Sequence, residues 1–187
     1  MNFRLRDGSM SGRPPADIST NSRKGPERMQ NYGGGVSGTL LKQKSSFSLN
    51  VNGSTTYDTP YFNYTGPDGV KVTTLAPRQP RDNVFVHGLL DYAITRDQTL
   101  RFNYSQFSFK TKNTGVGGLD MFERAYSNEN TQHTLRIQEA GPLGRRFFIN
   151  TRASINWSRS SSSSFFECST IRVLDRFTSG GQQQRGG

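Results

Sequence analysis

The segment Ser46-Phe47-Ser48-Leu49-Asn50-Val51-Asn52 decides the fold. Phe47, Leu49 and Val51 take every second place, and Ser46, Ser48, Asn50 and Asn52 take the places between. A period of two puts alternate side chains on opposite faces of a strand, so this segment is apolar on one face and polar on the other. Upstream, Tyr32, Val36 and Leu40 keep the same spacing, and Lys42-Gln43-Lys44 is a short polar turn between the two runs. The pair therefore reads as a hairpin.

The pattern recurs downstream. Val84, Val86, Leu90, Tyr92 and Ile94 share one face, while Phe85, His87, Leu89 and Asp91 share the other, which is less polar than its counterparts. After the turn Thr95-Arg96-Asp97-Gln98, Leu100, Phe102 and Tyr104 alternate with Arg101, Asn103 and Ser105. Leu135 and Ile137 stand opposite Thr134, Arg136 and Gln138, and Gly141-Pro142-Leu143-Gly144 supplies the next turn. Phe147, Ile149, Ala153, Ile155 and Trp157 then oppose Asn150, Arg152, Ser154 and Asn156. The expectation is an all-β, antiparallel up-and-down meander of about six strands, near 31–41, 45–57, 83–94, 99–110, 130–140 and 147–158. Residues 1–30 and 159–187 carry no period and are expected to be an irregular leader or outer loop and an irregular tail.

Composition agrees with half-apolar strands. Of 187 residues, 31% are hydrophobic, low beside a globular norm, while aromatics reach 11% and the excess lies in small polar residues. Sustained helical spacing is lacking, as is any apolar run of about 18 residues that would cross a membrane as a helix. The single Cys168 excludes an internal disulfide and a cysteine metal cluster, and His87 and His133 lack metal-ligand spacing. The first residues, MNFRLRDGSMSGRPP, lack the apolar core of a signal peptide. The formal net charge of +10 suits phosphate contacts, yet the basic residues are spread along the chain without a stripe. That spread argues against nucleic acid as a partner and suits a phosphate-rich lipid surface equally well.

Connections alternate between short turns and long polar stretches, about 58–82 and 111–129. In a meander this sets all short turns at one edge and all long loops at the other, the asymmetry of transmembrane β-barrels. Strands of about 11–12 residues, tilted by about 45°, are long enough to span the hydrocarbon layer. Tyr32, Tyr92, Tyr104 and Trp157 near strand ends fit an interfacial aromatic girdle. A soluble antiparallel sheet with one face on a core has the same periodicity, and connection asymmetry and strand length favour the membrane.

Several stretches, taken in order, resemble the β-barrel of TonB-dependent outer-membrane receptors, specifically the Oar-like branch. They are KGPERMQNYGGGVSGTLLKQKSSFSLNVNGSTTYDTPYFN, DYAITRDQTLRFNYS, GVGGLDMFERAYSNENTQHTLRIQE, INTRASINWSRS and TIRVLDRFTSGG. The resemblance covers most of residues 20–181 and rests on order along the chain, since none of the stretches is a catalytic fingerprint. It implies an outer-membrane location and, in a complete protein, energy-coupled movement of a solute. A complete chain of that family carries an N-terminal module, a plug and a barrel of twenty-two strands. About six strands cannot close a barrel, since the smallest have about eight. The expectation is thus a partial chain, 31–158 being partial barrel; closure by several copies is the alternative. Outer-membrane lipid is the expected partner, an energy-coupling protein of the TonB type would be reached only through missing parts, and the solute is unknown.

Chemistry is sparse. Gly115-Val116-Gly117-Gly118 lacks the lysine and following helix of a phosphate-binding loop, and Ser160 to Ser164 lack a partnering base. Asp68, Asp120 and Glu123 do not have the spacing of a calcium loop, and His87, on one face with Asp91, reads as packing. The sequons at Asn52 and Asn103 are expected by chance in an Asn- and Ser-rich strand protein. No catalytic residue, cofactor or metal is therefore expected. The expected functional surface is the long loops, with Tyr61, Phe62, Tyr64, Phe122, Arg124 and Tyr126 as candidate outer-loop contacts. The rival reading is a soluble β-rich binding module for nucleic acid or polysaccharide.

Overall fold

A computed structural model of the chain describes residues 1–10, 26–66, 68–144 and 146–181. Its long strands are β1 (Asn2–Asp7), β2 (Arg28–Leu41), β3 (Ser45–Asp58), β6 (Gln79–Ala93), β7 (Thr99–Thr114), β8 (Tyr126–Leu143) and β9 (Phe147–Ser164). They form one 7-stranded antiparallel sheet in the order β1-β2-β3-β6-β7-β8-β9, so chain order and spatial order agree. The short β4 (Tyr61–Thr65) and β5 (Lys71–Leu75) form a separate hairpin, and β10 (Ile171–Val173) and β11 (Phe177–Ser179) form another. The sheet is an open meander with β1 and β9 at its edges.

Register carries the alternation across the sheet. Val36, Leu49, Gly88, Tyr104, Leu135 and Ile155 lie side by side on one face. The neighbouring row on that face is Gly38, Phe47, Leu90, Phe102, Ile137 and Ala153. On the opposite face, Ser37, Ser48, Leu89, Asn103, Arg136 and Ser154 form one row. A shift of one residue would exchange the faces, so the side-chain pattern and the pairing specify each other. A register irregularity between Thr39 and Leu41 sets Leu41 opposite Ser45 at the end of the hairpin.

The strands run further than the periodic signal reaches. β8 and β9 have 18 residues each, and the serines Ser160 to Ser164 pair with Tyr126 to Asn130 instead of belonging to a tail. β6 begins at Gln79 and accommodates Pro80 near its start, where Tyr57 is its partner. In these extensions both faces are polar, which erases a hydrophobic period while leaving the backbone ladder intact. The expected irregular leader is also corrected: Asn2–Asp7 is a strand, paired with Arg28 to Gly33. Its alternation of Phe3 and Leu5 with Arg4 and Arg6 is short, and the outer end of β2 supplies the partner groups that make it a strand. At the other end of that leader, Arg28 to Gln30 are corrected likewise, being the start of β2, whereas residues 11–25 and the last residues of the tail, 182–187, lie outside the described residues.

Burial is nearly absent from the sheet. Among the described residues the buried hydrophobic residues are Ala76, Val116 and Ala125, and all three lie in the connections. Apolar side chains of the sheet face are open toward the edges, Val36 being 55% and Ile155 59% exposed, and half-buried by their neighbours in the central strands, as Val86, Leu90, Phe102 and Leu135 are. No helix of the described chain is long and apolar enough to cross a membrane, a statement that does not bear on crossing by strands.

Candidate functional site

The turns β2–β3, β6–β7 and β8–β9 lie at one end of the sheet, and the long connections gather at the other. There they are laced into a cap by their backbones. Gly118 N–H donates to the Tyr61 carbonyl and Asn63 N–H to the Gly118 carbonyl, each at 2.7 Å. Met121 N–H donates to Thr178 O at 2.8 Å, Thr178 N–H to Leu119 O at 2.7 Å, and Phe165 N–H to Ala125 O at 2.8 Å. The glycines make the close approach possible. Gly117 has φ 125°, and a Cβ there would stand 3.0 Å from the Pro60 Cβ. The glycine-rich stretch read as a plain loop is thus the splice that joins β4 to the β7–β8 connection.

Beneath these bonds Ala76, Val116 and Ala125 form a small core, with Phe62 and Phe122 packed against it. Phe122 meets Phe165 at 4.9 Å between ring centroids, and Phe165 meets Phe166 edge-on at 5.0 Å. Gln79 Nε2 donates to Val116 O at 2.8 Å and ties the cap to β6. Arg124, in the short 3-10 turn Phe122–Arg124, places its Nε 3.0 Å from Asp120 Oδ1. The Arg124 side chain is only 19% exposed, and its Nη1 is buried without a hydrogen-bond partner.

The structure thus brings the expected loop residues to one end and gives them distinct roles. The rings of Phe62 and Phe122 serve the cap's own packing. Tyr61 and Tyr64 are half-buried on β4, where Tyr64 stands opposite Val72. Tyr126 opens β8 and is paired on both sides, with Thr114 and Ser164. Arg124 is held by Asp120. No group of three or more metal-ligating side chains is present among the described residues.

A second feature lies on the polar sheet face, where the local sequence signal is weaker. Asn2, Gly33, Asn52, Phe85, Phe107, Gln132 and Ser158 follow one another across the sheet in register. Over the first part of this row is a recess of about 320 Å³, lined in part by Asn31, Ser54 and Asn83 from the adjoining row. Asn83 Nδ2 donates to Ser54 Oγ at 3.2 Å. Gly33 makes room for its neighbours: a Cβ there would collide with the amide oxygens of Asn52 and Asn2. Phe85 also stacks on His87, with ring centroids 6.3 Å apart and planes 9° from parallel. His87 Nε2 lies 2.9 Å from Asn103 Nδ2, and Asp91, which shares its face, pairs with Arg101 across the strands at 2.6 and 3.1 Å. The signal available in sequence was a pair of phenylalanines falling in the polar phase, together with a glycine run opposite asparagines.

No protein-family model, curated protein or solved structure matches the chain.

Proposed function

We propose that this chain is a section of wall and outer loops of an outer-membrane β-barrel, of the TonB-dependent receptor kind that its sequence resembles. In that reading, the apolar face meets lipid, the polar face meets the watery interior, and the cap stands at the outer mouth. The complete barrel would carry an energy-coupled solute, and the chain itself performs no catalysis. The observation that carries this reading is the uncovered apolar face: a band of aliphatic and aromatic side chains with no described layer packed on it. A soluble sheet of this kind buries that face against a second layer.

The dimensions support it. Between the Tyr92 and Val84 ends of the band on β6 the strand rises about 27 Å. At the roughly 35–45° tilt of barrel strands that becomes about 20 Å of height, near the approximately 25 Å apolar band of outer-membrane barrels. Toward the cap the same face turns polar, with Ser108 beside Thr131 at 2.9 Å and Lys110 beside Glu129 at 3.4 Å. At the boundary Trp157 stacks on His133 at 5.0 Å, and the Tyr104 hydroxyl lies 2.8 Å from His133 Nδ1. Amphipathic rings of this kind belong at the headgroup level. The open edges at β1 and β9 call for further strands, because each unpaired backbone group in lipid costs on the order of several kcal/mol.

The only tryptophan, Trp157, is the natural reporter. The chain, refolded into phosphatidylcholine vesicles with bromine atoms on the acyl chains, is expected to show strongly quenched Trp157 emission. Unquenched emission from a monodisperse protein free in water would overturn the proposal.

A further inference from the structure

We infer that the polar-face recess is a binding site for a sugar ring of a neutral glycan, with Phe85 and Phe107 as its stacking platform and the surrounding asparagines as its hydroxyl readers. The inference stands on the sheet's register and does not depend on whether the opposite face meets lipid. Phe85 and Phe107 are direct cross-strand partners, 39% and 43% exposed, on a face that also carries Leu89 and Phe109 and is elsewhere mostly Ser, Asn, Thr, Gln and Arg. Large apolar rings left open among polar neighbours call for an explanation. Their pairing gives a broad apolar surface, and the C–H groups of a pyranose present an apolar face of matching kind.

Beside the rings stand Asn2, Asn31, Asn52 and Asn83. An amide offers both a donor and an acceptor, as does each sugar hydroxyl, so a cluster of amides can satisfy adjacent hydroxyls in either sense. The lining contains no charged side chain, which selects against phosphate polymers as the main ligand. Gly33 is part of the design, because a side chain there would displace the amides of Asn52 and Asn2. The volume, about 320 Å³, lies at the small end of the ligand-sized range, about 300–1,000 Å³, and suits one or two rings of a longer chain.

The experiment uses the full chain in a zwitterionic micelle free of glycoside detergent. Saturation-transfer NMR is recorded with maltohexaose, cellohexaose, mannohexaose and chitohexaose, and with oligothymidylate as the charged competitor. At least one hexasaccharide is expected to receive saturation, insensitive to salt. Phe107→Ala should weaken that binding about tenfold, and Phe107→Trp should keep it, since the ring face is retained. Phe148→Ala, at the far end of the same strand system, should leave it unchanged and controls for general loosening of the sheet. Absence of transfer to every hexasaccharide, or salt-sensitive binding of oligothymidylate alone, would overturn the assignment. So would equal losses in Phe107→Ala, Phe107→Trp and Phe148→Ala.

Discussion

The sheet and the cap are ordered by different means. The sheet has long, regular ladders and almost nothing buried, so its register is set by hydrogen bonds and by which face each side chain shares. The cap has little regular structure and holds the small hydrophobic core of Ala76, Val116 and Ala125. Among the described residues, full apolar burial, the usual driving force of folding, is confined to the connections where the strands end, while the sheet's apolar side chains are at most half-buried. For the sheet, lipid is the proposed source of the rest of that force. One molecule thus contains a region that depends on its surroundings and another that carries its own.

The sharpest test of this contrast places a charge on each sheet face. In vesicles, Leu49→Arg is expected to cost about 2–4 kcal/mol, the penalty for a cation deep on a lipid-facing surface. Ser48→Arg, one residue away on the other face, should stay within about 0.5 kcal/mol. Urea titration of both variants reads the difference, and equal costs would break the two-faced description. Next in size is Phe122→Ala, which removes a half-buried ring from the cap and should weaken it by about 2 kcal/mol, below the cost of a fully buried phenylalanine. Hydrogen exchange should then quicken at the Gly118 and Ala125 amides while the β6–β7 ladder keeps its rate. Comparable loosening of that ladder would mean that cap and sheet are one cooperative unit. Smallest is Asp120→Asn, which takes the carboxylate from the mostly buried Arg124. Because Asp120 is half-exposed, about 1 kcal/mol is expected, again confined to cap amides, with added salt narrowing the difference from the parent chain.

How much of this was legible in the sequence follows the same division. The strand from Ser46 to Asn52 is plain because its faces differ in polarity, and the antiparallel pairing of β2 with β3 and of β6 with β7 follows from the short turns between them. The strand extensions, such as Ser160 to Ser164, were hidden because both faces are polar there and only a neighbouring ladder makes them strands. The first strand is too short for its alternation to stand out. In the long connections the aromatic residues stand out in the sequence, but side-chain type cannot tell a ring that meets solvent from one that packs on Val116. That distinction depends on Gly118 bonding to Tyr61 and Asn63, a contact between distant segments that lacks a local signature. The recess was obscure for a related reason: its asparagines and phenylalanines come from β1, β2, β3, β6 and β7, and only the register brings them together.

The outer side of β9 has a consequence of its own. It runs from Phe147 to Ser164 without a proline or a lysine, and no strand among the described residues pairs with that side. Soluble proteins blunt such a margin with those residues or with bulges, because a bare row of amides and carbonyls is a template for the next chain that drifts past. Away from whatever normally closes it, this rail is a growth point, and copies added to it would zip into ribbons of the cross-β kind. In the proposed barrel that rail would join a larger wall; in the isolated chain it makes fibre formation the expected outcome.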